Sequence, residues 1–489
     1  MKCPALMCLG LAWVTSCTQS GEPSGPSGPR PAEISLDFDR VSAAVGQAVE
    51  LRAIVKDSSG GVLQSQKIQW SADNQAVIAV KPGDSGATLT GVSAGTSQVR
   101  ATVGSISATV TVTVAQFAAI KPGVKFSCAI TTDGKLYCAG SQYGAGAIPV
   151  APELRFVSIS LGRSGTDEAC GITVDRAAFC WGSNDKGQLG AGDFSSHVEP
   201  TPVTGGHRFA SISVGRFHVC AITLEADAYC WGDGSEGRLG TGGTDVRNSP
   251  ARVQVPADEK LAQIEAGANA TCAVATSGQA YCWGRNDLGQ LGSSQAVAGH
   301  LGDFSLLPVP VDNAASTAQV VTEGPKSCLL DSSGHAFCYG NNTVLELGSG
   351  ISGPDTRERC YTDKPCSTTP LPVATNASFV SLAASQFATC GLTATKKIFC
   401  WGMDFELLFG SASGGVPACE TQGATYPCSS TPIAGPDGFT TISLSITNQC
   451  GLRDDRIAYC WGGNANGQRG WPGATPDNVP HVFALNPKP

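Results

Sequence analysis

Between Cys128 and Cys460 one phrase recurs seven times, and each copy holds two cysteines ten positions apart. The copies read CAITTDGKLYCAG from Cys128, CGITVDRAAFCWG from Cys170, CAITLEADAYCWG from Cys220, CAVATSGQAYCWG from Cys272, CLLDSSGHAFCYG from Cys328, CGLTATKKIFCWG from Cys390 and CGLRDDRIAYCWG from Cys450. Repeats at this period mean a solenoid, a propeller or an array. Turn-formers such as Asp133-Gly134, Ser277-Gly278 and Ser333-Gly334 stand midway between the cysteines, so each copy reads as a short hairpin. With the turn centred on residue 133, Cys128 faces Cys138 and Ile130 faces Leu136 on one side of the sheet. Residues so opposed lie about 4.5 to 5.5 Å apart at Cα, within reach of a disulfide. The expected bonds are Cys128 to Cys138, Cys170 to Cys180, Cys220 to Cys230, Cys272 to Cys282, Cys328 to Cys338, Cys390 to Cys400 and Cys450 to Cys460. Zinc is the competing use of thiolates, but it needs closely spaced pairs converging on four ligands, and the chain has only six His.

A wider window adds FVSISLG before Cys170, FASISVG before Cys220 and FTTISLS before Cys450, with glycine turns after the WG: GQLG at Gly187, GRLG at Gly237, GQLG at Gly289 and GQRG at Gly467. Strands and turns alternate at about four strands per copy, and radial stacking of such sheets buries their faces while leaving short edges. A chain with 60 Gly, 29 Pro and 15% charged residues suits this better than a helical bundle. The combination resembles the regulator of chromosome condensation repeat family, which implies a seven-bladed β-propeller over residues 116–489. Local departures are Ala139 in place of Trp, YGAGA at Tyr143, Tyr339 in place of Trp, and ELLFG at Glu406.

Residues 33–115 read as a separate unit of alternating strands (VELRAIVKD, IQWSAD, QVRATV, SATVTVTV). The phrases IQWSADNQAVIAV and TLTGVSAGTSQVRATVG resemble bacterial Ig-like domains of the second group, which implies a spacer or adhesive β-sandwich with Trp70 as its buried aromatic. The expected fold class is therefore all-β, an Ig-like β-sandwich followed by a seven-bladed β-propeller.

The chain begins MKCPALMCLGLAWVTSC, a basic start and an apolar stretch too short to span a bilayer. Val14-Thr15-Ser16-Cys17 resembles a bacterial lipoprotein box, which implies a signal over residues 1–16, lipid on Cys17 and, with Thr18 following, placement at the outer membrane. An ordinary signal peptide cut nearby is the alternative. Residues 17–32 are rich in Gly, Pro and Ser and read as a flexible tether. Of 21 cysteines, Cys3 and Cys8 leave with the signal and Cys17 takes the lipid; the remaining 18 form an even set, as an exported disulfide framework needs. Beyond the repeats these are Cys360 with Cys366 and Cys419 with Cys428, in two insertions.

A net charge of −8 argues against nucleic acid as a partner, because that affinity rests on neutralising phosphates. Gly91-Val92-Ser93-Ala94-Gly95 has the spacing of an esterase elbow, yet residues 33–115 hold no His. Gly232-Asp233-Gly234-Ser235-Glu236-Gly237 matches a dinucleotide fingerprint without the helix that would receive the pyrophosphate. Asn269, Asn341 and Asn376 fit the glycosylation sequon, a pattern that arises easily by chance. His197, His207, His218, His300, His335 and His481 are scattered, so no catalytic residue, cofactor or metal site is expected.

Function then falls to the surface. First-cysteine spacings grow as 42, 50, 52, 56, 62 and 60, and the excess follows the glycine turns of copies four to six. The insertions GISGPDTRERCYTDKPCSTTP and SASGGVPACETQGATYPCSSTP are cousins at the same place in adjacent copies, and should project side by side from one rim. Arg357, Arg359, Tyr361, Asp363, Lys364 and Tyr426 are the candidate protein-binding patch, mixing Arg and Tyr as binding hot spots do. The plainer reading is that the staples only stabilise long loops. The expected function is a non-enzymatic, membrane-tethered scaffold for a protein partner, touching the membrane through its lipid only. The runner-up is a secreted inhibitor of an extracellular enzyme, followed by an enzyme on the same scaffold; the resembling family includes both a nuclear exchange factor and a secreted β-lactamase inhibitor.

Overall fold

The computed structural model describes residues 29–163, 165, 167–256, 259–296, 303–351, 358–409, 418–421, 424–470 and 476–487. Cys3, Cys8, Cys17 and Arg357 lie outside the described residues. Among the described residues no helix is long and apolar enough to cross a membrane.

Seven antiparallel sheets follow one another over residues 117–150, 156–202, 209–252, 261–310, 317–372, 379–437 and 439–482, here blades one to seven. Blades five and six each gain a fifth strand from their insertions, Glu358–Cys360 and Ala418–Thr421. First strands of consecutive blades pack together, and blade seven packs back on Phe117–Pro122 of blade one. The sheets stay open individually, and the ring is made by sheet packing on sheet.

In every blade the repeat cysteines stand directly opposite on the second and third strands. Their Cα atoms are 4.1 Å apart, the close spacing of non-hydrogen-bonded pairs. These disulfides face forward round the ring. Cys128–Cys138 packs with Trp181 of blade two, Cys170–Cys180 with Trp231, and Cys220–Cys230 with Trp283. The series continues with Tyr339, Trp401 and Trp461 on the next three disulfides. Fully burying one such aromatic contributes about 1.5–3 kcal/mol, so the repeat unit stabilises its neighbour as much as itself.

The turn after the third strand closes several of these junctions. Trp231 Nε1 donates to the Gln188 carbonyl of the preceding turn at 2.9 Å, Trp283 Nε1 to Arg238 O at 3.0 Å, and Trp461 Nε1 to Leu408 O at 2.9 Å. A Cβ on Gly190 or Gly240 would stand 2.7 Å from the indole nitrogen of the next blade, which is why the turn ends in glycine. Blade one lacks the glycine turn, and there Tyr143 Oη accepts from Trp181 Nε1 at 2.9 Å instead.

Blade one also carries Ala139 where the other blades carry an aromatic residue. The space beside Cys450–Cys460 is taken by Phe483 from the C-terminal tail, which clusters with Ala139, Phe117 and Leu485. Next to it, Ala147 N donates to Ala484 O at 3.0 Å and Asn486 N to Ala147 O at 2.8 Å, so the tail lies along the outer strand of blade one.

Residues 33–115 form two four-stranded sheets that share one core of Val41, Leu51, Leu89, Val99 and Val112. Trp70, expected as the buried aromatic, is only half-buried at the boundary of two clusters, because small aliphatic residues already fill the centre. This unit docks on the ring at the end bearing the hairpin turns. Gln47 Nε2 donates to Leu485 O at 2.8 Å and Gln47 Oε1 accepts from Leu485 N at 2.9 Å. Gln116 reaches Asp455 O at 2.8 Å, and Ile457 packs on the unit's core. In a sheet whose strands run in sequence order, the first-to-second and third-to-fourth connections lie at the other end, so the insertions occupy the opposite face of the ring.

Candidate protein-binding site

Both insertions are stapled and seated in the same way. Cys366 pairs in register with Asn341, next to the blade-five Tyr339-Gly340, and Cys428 pairs with Met403, next to the blade-six Trp401-Gly402. Cys360–Cys366 packs with Leu288 on the turn of blade four. Cys419–Cys428 packs with Val344 and Leu345 on the turn of blade five. Each insertion therefore leans back over the preceding blade. At the first turn glycine, φ is 72° to 76° for Gly187, Gly237, Gly289 and Gly467, while Leu345 and Leu407 hold the same left-handed conformation at 65° and 60°. A left-handed leucine costs roughly 1–2 kcal/mol, and Leu345 is one of the side chains on which the second staple rests.

Tyr361 and Lys364 of the first insertion line a cavity of about 250 Å³ together with Arg216, Asn269, Arg285, Asp287 and Gln386. Its floor is made where the loop joining the first two strands of blade five shrinks to Gly324 and Pro325, against 267–269 and 385–387 in the flanking blades. Tyr361 N donates to Asp287 O at 3.2 Å, which fixes the insertion to the wall.

The charges divide into saturated and open ones. Arg285 meets Asp287 at 2.6 Å and Glu236 at 3.4 Å, and the hydrogen bond to Asp287 leads in holding its guanidinium pKa above the usual value. Arg238, behind it, meets Glu236 at 3.0 Å and Asp233 at 3.5 Å, with burial pulling its pKa down. Arg216 instead lies with its guanidinium 5.0 Å from the Phe217 ring centre and is exposed. Nearer the axis, Arg163 of blade two pairs with Glu265 of blade four and, at 3.3 Å, with Glu323 of blade five, so this ion-pair set crosses the ring.

Of the expected patch, Tyr361 and Lys364 reach the cavity and Asp363 is exposed beside them. Arg359 pairs through its backbone with Pro365, and Tyr426 packs on Phe405, ring centres 5.3 Å apart, over the next turn. The described contacts do not join Tyr426 to Tyr361, so the patch divides over two neighbouring blade junctions. Arg216, Asn269, Arg285, Asp287 and Gln386 escaped the sequence reading. Their signal was position: Arg285 ends a strand and the others sit in loops or turns, all at the same end of their blades as the insertions. Ser93 ends in a hydrogen bond to Ala76 O at 2.7 Å between two strands, and no described His approaches it. Among the described residues no group of His, Cys, Asp or Glu could hold a metal ion.

The model of the regulator of chromosome condensation (RCC1) repeat matches residues 177–222 and 225–274, and a second model of the same repeat matches 209–238 and 261–290. Residues 177–290 carry RCC1 repeats. The ultraviolet-B receptor UVR8 of Arabidopsis thaliana is 25% identical over 317 residues, 62% of this chain and 65% of that protein. The mitochondrial RCC1 domain-containing protein RUG3 of the same plant is 26% identical over 309 residues, again 62% and 65%. The match thus spans just under two thirds of either relative. Yeast RCC1, solved bound to Kap60, superposes with a TM-score of 0.60 at 16% identity, covering 75% of this chain and 85% of that one. The fold of the ring is that of the RCC1 β-propellers.

Proposed function

We propose that the protein is a non-enzymatic, protein-binding scaffold, exported and tethered to the outer membrane through Cys17, with residues 33–115 as an Ig-like stalk. One observation carries the reading: two stapled insertions sit on adjacent blades at the face of the ring opposite the N-terminal unit. A stalk docked on one face leaves the other pointing away from the tether, and a stapled loop loses less entropy on binding than a free one. Disulfides on this scale persist in oxidising compartments, which supports export. That a related propeller is described in complex with Kap60 supports protein as the partner class.

The test is crosslinking on intact cells followed by capture with the full chain. Replacing Tyr361, Asp363, Lys364 and Tyr426, with Arg357 and Arg359, should abolish the captured partner while the ring stays folded. An unchanged partner would count against the rim. Cys17→Ala should move the protein from the membrane to the soluble fraction, and retention would remove the lipid anchor from the reading.

A further inference from the structure

We infer that the cavity under the first insertion binds a carboxylate side chain from an acidic segment of the partner protein; this rests on the protein-binding reading and names its chemistry. The chain carries a net charge of −8, yet two cations line this one cavity without a described carboxylate partner, Arg216 and Lys364. Arg238 and Arg285 behind them are saturated by Asp233, Glu236 and Asp287, so those carboxylates are spent. The Phe217 ring orients the Arg216 guanidinium, and a planar fork so held suits a carboxylate. The side chains of Asn269 and Gln386, on the flanking loops, make no described hydrogen bond and supply amide donors. Ala268, Leu288, Pro325 and the Tyr361 ring make the rest of the wall. A space of about 250 Å³ admits a side chain and its neighbours rather than a polymer backbone.

Anisotropy of a fluorescein-labelled Gly-Glu-Glu-Tyr-Glu-Glu-Gly peptide on the full chain tests this. Binding should saturate, weaken with added salt, and fall at least tenfold when the four Glu are replaced by Gln. Arg216→Glu with Lys364→Glu should cost at least tenfold, whereas Lys67→Glu with Lys81→Glu, the same charge change on the exposed surface of the N-terminal unit, should leave it unaltered; unchanged unfolding midpoints show that the variants fold. Absence of saturable binding, equal binding of the Gln peptide, or equal loss in both double variants overturns the inference. If the Glu peptide fails while Tyr361→Ala still abolishes partner capture, the carboxylate falls and the rim reading stands. If capture is indifferent to the rim, the rim reading falls.

Discussion

Phe483 stands edge-on to Phe117, ring centres 5.9 Å apart and planes at 76°. In blades two, three, six and seven the first-strand phenylalanine likewise meets the third-strand Trp, as Phe209 meets Trp231 at 6.1 Å and Phe379 meets Trp401 at 6.0 Å. Phe483 thus does for blade one what the third-strand Trp does elsewhere, from a position 344 residues after Ala139. The tail is the seventh aromatic of the ring.

Phe483→Ala should therefore destabilise the ring by about 3–5 kcal/mol, the usual cost of emptying a buried phenylalanine site, read as a fall in the urea midpoint. Ala139→Trp should destabilise the intact chain by overpacking, but partly rescue Phe483→Ala. Independent, additive effects of the two substitutions would show that they do not share a space.

Trp401 Nε1 has no hydrogen-bond partner among the described residues, whereas Trp231 Nε1 donates to Gln188 O. Trp231→Phe leaves a buried carbonyl unpaired and Trp401→Phe does not. The first should cost about 1 kcal/mol more than the second in matched denaturation curves.

Burial, helped by the Arg238 charge, holds the His218 pKa down to about 3 from 6.5. The Thr271 hydroxyl donates to Arg238 O at 2.8 Å, so His218 Nε2, 2.8 Å from that hydroxyl, carries the hydrogen and the ring is neutral. Between pH 6.5 and about 3 the unfolded chain binds the extra proton. The contribution of this group is accordingly complete above pH 6.5 and is lost as pH falls, on the order of 2 kcal/mol by pH 5. His218→Gln should flatten stability between pH 7 and 5, measured as urea midpoints at both.

Cys419 is half-buried, while the fourteen repeat cysteines are shut in between blades. Mild reduction followed by alkylation and peptide mapping should label Cys419 and Cys428 first and reach the repeat pairs only after denaturant is added. The ring should keep its circular dichroism while the second insertion is open.

The ring was legible because cysteine, aromatic and glycine turn each make an inter-blade contact, so most copies repeat the whole set. Ala139 and the YGAGA at Tyr143 were visible as departures, but their meaning was not, since Phe483 and Trp181 that compensate for them reach those sites only in the folded ring. The two insertions were legible as related, and Tyr361 and Lys364 as surface residues. Arg216 was not, because its three-residue loop resembles those of other blades, and only the lean of the blade-five insertion brings a cavity to it. Trp70 misled in the opposite direction, its size suggesting a core place that valines and leucines had already filled.

The measurement that bears most directly on the rim is site-specific photo-crosslinking in cells, with the reactive group at Tyr361 on the insertion face or at Glu225 in a hairpin turn on the opposite face. A partner band should form from position 361 and be absent from position 225. A band from position 225 alone, or the same band from both, would contradict a binding face built by the stapled insertions.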